Sequence, residues 1–161
     1  MKMLALTFFL FLLVNGCSVK AVYHDEDKAI DTANQFLRYL VRENYTAAYN
    51  NYISDSIKKN LSFDHFESAL KKSVEIRGQL IKAVFDSFQP VPGQRTIQLY
   101  YNVFHKGAGI ILYHFVLEGD DKVGYEIILV DIGNQIQYPP NMKYLGVKKM
   151  KKDRYIEVTG D

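Results

Sequence analysis

Apolar residues recur at three- and four-residue steps from residue 25 to residue 78, then at every second residue from 79 to 132. The first period is that of a helix with one buried stripe, the second that of a strand with one buried face. The first helix is expected from Asp25, with Ile30, Ala33, Leu37, Leu40 and Val41 on one side and Lys28, Asp31, Arg38 and Arg42 on the other. Asp25, Glu26 and Asp27 place negative charge at its N-terminus, where the helix dipole favours it. Glu43-Asn44 breaks the run, and Asn44 is suited to cap a short helix over residues 45–52. Ser62 opens a third helix bearing Phe63, Phe66, Leu70 and Val74, which Gly78 ends.

Four strands follow, over 79–89, 95–105, 109–118 and 122–132, separated by Pro/Gly- and Asp-rich turns. Short turns pair consecutive strands antiparallel. The expected fold is therefore α+β, with N-terminal helices packed on a curved four-stranded antiparallel meander. Taking Gly107-Ala108 as a two-residue turn sets Tyr101 opposite His114. The buried face then carries Ile97, Leu99, Tyr101 and Val103, next Ile110, Leu112, His114 and Val116, and finally Val123, Tyr125, Ile127 and Leu129. A slip of one residue reverses every side chain on the slipped strand.

The N-terminus has a different pattern. Lys2 precedes an apolar run from Met3 to Val14 interrupted only by Thr7. As a helix it reaches about 18 Å, short of the roughly 30 Å core of a bilayer, so it reads as an export signal rather than a span. Val14-Asn15-Gly16-Cys17 resembles the bacterial lipobox, with Asn15 departing from the usual small residue. The resemblance implies cleavage after residue 16, a diacylglycerol on the Cys17 thiol and an acylated new N-terminus. Cys17 is the only cysteine, and a free thiol is a liability in an oxidising compartment that a thioether-linked lipid removes. Several acyl chains give stable anchoring where one is marginal. The alternative is a plain secretory signal with an incidental cysteine. Ser18, not Asp, implies the outer membrane facing the periplasm if the host is Gram-negative.

Composition narrows the classes. Without residues 1–16 the chain keeps about 145 residues, enough for one domain with a real core. Twenty basic against 18 acidic residues give no field for nucleic acid. With its one cysteine lipidated, neither a disulfide framework nor a zinc–thiolate site can form within the chain. His24, His65 and His105 have no metal-ligand spacing, Gly107-Ala108-Gly109 lacks the helix of a phosphate loop, and no cofactor is expected.

The order of elements, with the Glu43-Asn44-Tyr45-Thr46-Ala47-Ala48-Tyr49 segment, resembles the nuclear transport factor 2-like (cystatin-like) superfamily over residues 25–132. In particular it looks like small bacterial envelope lipoproteins. The resemblance implies a cone whose sheet and helices can enclose a pocket. Enzymes of that superfamily, isomerases and dehydratases, place Asp, His or Tyr on the inner face. The corresponding inward set here is Tyr101, His114 and Tyr125, with Asp131 at the rim. A histidine between two phenols can act as a base or orient a ligand, although a lone histidine on an apolar face is most often a hydrogen-bonded core residue.

Four segments result: a signal over 1–16, a lipidated tether over 17–24, an α+β domain over 25–133 and a basic extension over 134–161. The extension holds five basic residues in seven from Lys148 to Arg154, and Tyr155-Ile156-Glu157-Val158 alternates as an added edge strand would. Contact with anionic lipid or a partner is one reading of those charges, and a solvated extension is the simpler one. The function expected is a non-enzymatic binding or interaction module, held to the membrane by its lipid and serving an envelope protein or a small apolar ligand. The alternatives are a small isomerase- or dehydratase-like enzyme and, by analogy with similarly folded domains of type IV secretion machines, an assembly component.

Overall fold

The structure, a computed structural model, describes residues 22–135 and the pair 155–156. The expected signal segment, Cys17, most of the expected tether and the rest of the basic extension lie outside the described residues. Helix α1 runs Glu26–Val41 with Asp25 as N-cap, whose carboxylate accepts from the Lys28 amide at 3.1 Å. Its apolar stripe buries Ala29, Ile30, Ala33, Phe36, Leu37 and Leu40. At its end Glu43 takes a left-handed φ of 52°, and the amides of Glu43 and Asn44 bond back to Leu40 O and Tyr39 O at 3.0 and 2.9 Å. This closes the helix as a Schellman turn, with glutamate where glycine is usual. Asn44 at once caps α2, Tyr45–Tyr52, its side chain accepting from Ala47 N at 3.1 Å.

A one-turn helix absent from the sequence reading, α3 at Asp55–Lys58, follows with Ser54 as N-cap. Helix α4, Phe63–Arg77, starts at Ser62 and stops at Gly78, whose φ is 79°. A Cβ at Gly78 would stand 2.6 Å from Gly107 N, because the Gly107 and Ala108 amides bond to Arg77 O there at 3.0 and 2.9 Å. Close approach and backbone angle together demand glycine at that corner.

Strands β1 (Leu80–Pro90), β2 (Thr96–His105), β3 (Gly109–Asp120) and β4 (Gly124–Gln135) form an antiparallel meander. The short β5, Tyr155–Ile156, pairs antiparallel with Ala83 and Val84, giving the order β4-β3-β2-β1-β5. Helices therefore pack on one face of an antiparallel sheet. The core lies between them, where Phe36 meets Phe66 and Phe115 at ring distances of 6.3 and 5.9 Å, and Tyr101 sits 5.4 Å from Phe115. Such edge-to-face contacts add to the burial of large apolar area.

The register of β3 departs from expectation by one residue. The β2–β3 loop holds residues 106–108 and His105 pairs with Gly109, whose φ of 73° fits a three-residue hairpin. Tyr101 accordingly faces Tyr113, and the inward residues of β3 are Ile111, Tyr113, Phe115 and Leu117. Ile110, Leu112, His114 and Val116 turn to the outer face. On β4 an irregularity between Ile127 and Leu129 shifts the pairing with β3, so Tyr125 and Ile127 point inward while Leu129 is 46% exposed. Val123, also expected inside, lies before β4 and is 71% exposed.

Candidate functional site

The three side chains expected to share a pocket lie in three places. Tyr101, 1% exposed, donates its hydroxyl to Asn34 Oδ1 at 2.9 Å, tying the sheet to α1. Burial pushes its phenol far above the ordinary tyrosine range, with the charge of Asp31 acting the same way. Tyr125 stands beside residues 24–25, just ahead of α1. The Asp25 amide donates to its hydroxyl at 2.8 Å, and His24 Nδ1 lies 3.4 Å from that oxygen. Burial raises its phenol too, against the lowering effect of the Asp25 amide.

His114 occupies the outer sheet face, stacked on Tyr100 with ring centroids 4.6 Å apart and donating Nε2–H to Gln98 Oε1 at 3.1 Å. Asp131, the expected rim carboxylate, is its cross-strand partner on that face. The register thus withdraws His114 from any enclosed set with Tyr101 and Tyr125.

The buried histidine is instead His105, 4% exposed at the end of β2. Gly78 O, which can only accept, lies 2.9 Å from Nδ1, so that nitrogen carries the proton. Nε2 of the neutral ring then accepts the Tyr113 hydroxyl at 2.9 Å. Burial holds the His105 pKa below its ordinary value, aided by Arg77 and opposed by the bond to Gly78. Burial also pushes Tyr113 up to about 12, against the lowering influence of Arg77 and a bond from Ser73. The cavity beside this pair measures about 20 Å³, room for a water and no more. The pair therefore serves the junction of α4 and β2, where it ties Gly78 to the sheet. In the sequence His105 closes the strand 95–105 without metal-ligand spacing; its place opposite the helix-ending Gly78 depends on tertiary packing.

A larger space lies elsewhere, between α3, α4 and β4. It measures about 330 Å³. Phe66, Ala69 and Leu70 reach it from one face of α4, as spacings of three and four residues require, and Ile57 and Leu61 close it from α3 and the turn beyond. Phe36 of α1 and Ile53 complete the lining together with residues 127–130 and Ile132 of β4. Among the described residues every lining side chain is apolar, so they offer burial and no group for acid–base or nucleophilic chemistry. Two features hid it from the sequence: the single-turn α3 and the shifted pairing at Ile128. The Ser54-Asp55 capping pair ahead of Ile57 and Leu61 was the available signal.

Among the described residues no cluster of His, Cys, Asp and Glu can hold a metal ion, and no helix is long and apolar enough to cross a membrane. No protein-family model, curated protein or solved structure matches the chain.

Proposed function

We propose that the protein is a lipid-anchored component of the bacterial envelope whose α+β domain, of the nuclear transport factor 2-like (cystatin-like) arrangement, is a non-enzymatic binding module. The module holds an apolar group, a small ligand or a segment of an envelope protein, in the cleft between α3, α4 and β4. The observation that carries this reading is the cleft itself, about 330 Å³, whose lining side chains among the described residues are all apolar. Such a space left to water is costly, whereas each methylene buried there contributes about 0.8 kcal/mol. The separation of Tyr101, His114 and Tyr125 removes the motive for an inner His/Tyr catalytic site. Helices followed by an antiparallel meander support the superfamily arrangement, and Val14-Asn15-Gly16-Cys17 supports the anchor. A Gram-negative host would put the anchor in the outer membrane, facing the periplasm.

Binding is tested with N-phenyl-1-naphthylamine, a neutral apolar dye that brightens when buried. The full chain should enhance its emission, and Ala69→Phe, which fills the cleft from α4, should abolish the gain. Absence of any enhancement by the native chain overturns the reading. The anchor is tested separately in cells fed a labelled fatty acid: label should disappear in Cys17→Ser, and label that persists there places the lipid elsewhere.

A further inference from the structure

The next step rests on the cleft reading and specifies its occupant. The cleft touches Ile127, Ile128, Leu129 and Val130 in succession. Ile127 is buried, Ile128 is the unpaired residue of the irregularity and Leu129 turns outward, so a space meeting all of them borders the strand along its edge as well as its inner face. β4 is the end strand of the sheet. One contact already uses that edge. Ile53, extended at φ −77° and ψ 131°, bridges in parallel to Ile127, and Ser54 N donates to Ile127 O at 3.0 Å. Ser54 then caps α3 and the chain turns away, ending the ladder after a single bridge. Among the described residues no other backbone group bonds to the outer edge of β4.

We propose that the cleft and the β4 edge from Ile128 to Ile132 form a docking site for an extended segment of a partner polypeptide, added as a further strand where Ile53 leaves off. Main-chain bonds to the open edge supply affinity, and alternate apolar side chains of the segment enter the cleft. The other face sets a second requirement. Asp131 is exposed on β4, so the outward position opposite it favours lysine or arginine. Two alternatives fit less well. An acyl chain would fill the cleft but leave the edge amides and carbonyls to water. A second copy pairing β4 with β4 would bring two Asp131 carboxylates onto one sheet face, where like charges destabilise.

The test uses the full chain and a short blocked peptide alternating valine with lysine. The peptide should displace N-phenyl-1-naphthylamine and shift the amide resonances of residues 128–132. N-methylation of the peptide amides along one edge should weaken it about tenfold, because it removes hydrogen bonds while sparing the side chains. Asp131→Lys, a change at an exposed site, should weaken the lysine peptide and strengthen its glutamate counterpart. Equal binding by the methylated peptide overturns strand addition, as does displacement by dodecanoate with none by the peptide. Failure of the dye itself to bind sinks the cleft reading instead.

Discussion

Replacing Tyr101 by phenylalanine separates a packing role from a ligand role. The ring keeps its place among Phe85 and Phe115, at centroid distances of 5.6 and 5.4 Å, so only the hydroxyl is lost. That hydroxyl is the partner of Asn34 Oδ1 at 2.9 Å, with a longer approach of 3.4 Å to Ile30 O. Both residues are nearly sealed, at 1% and 7% exposure, so water does not readily replace the bond. Leaving a buried acceptor unpaired costs about 1–3 kcal/mol, and for a domain of this size a loss of that order lowers Tm by roughly 4–12 °C. Thermal and urea denaturation of the full chain, followed by circular dichroism, measures it. The double variant Asn34→Leu with Tyr101→Phe removes both partners and should recover at least half of the loss, since the two sites are coupled through one bond. Unchanged stability in the single variant, or a double variant as unstable as the two singles summed, would refute the reasoning.

Acid should expose the buried imidazole. His105 is neutral in the folded chain with a lowered pKa, so the unfolded chain binds its proton first as pH falls. Stability contributed by this site is complete above about pH 6.5 and declines below it towards the folded pKa; Tm scans of the native chain and His105→Gln should diverge above that pH and converge below it. Glu43→Gly, which relieves a φ of 52°, should stabilise by about 0.5–1 kcal/mol in urea titration. A fall in midpoint would show that the 3.4 Å contact from Gln79 Nε2 to Glu43 Oε1 outweighs the backbone gain. Gly78→Ala meets both a φ of 79° and the Gly107 backbone, so a loss of about 1–3 kcal/mol is expected by the same assay.

Elements with their own local signals were legible in the chain. Asn44, Ser62 and Gly78 bound their helices as capping chemistry requires, because these residues act within a turn of themselves. The antiparallel meander also followed from alternation and turns. The register of β3 did not, since both of its faces are apolar: Ile110, Leu112 and Val116 compete with Ile111, Phe115 and Leu117 for the core. With the pattern ambivalent, loop length decides, and Gly109 after Gly107 signals the longer loop. The larger ring volumes of Tyr113 and Phe115 also favour the face that was realised. That one slip moved His114 and dissolved the expected pocket. Neither the cleft nor the bond between His105 and Gly78 is written in any single segment, because each needs two distant segments brought together.

The corner at Asn44 concentrates an unusual liability. Its amide terminates one rod while its side chain initiates the next, leaving no spare residue between them. Lengthening the connection by a single amino acid would deprive one rod of its terminator or the other of its initiator. Length variants made there should be far less tolerated than equal ones at the Pro92-Gly93 turn, where the same tolerance scan supplies its own control.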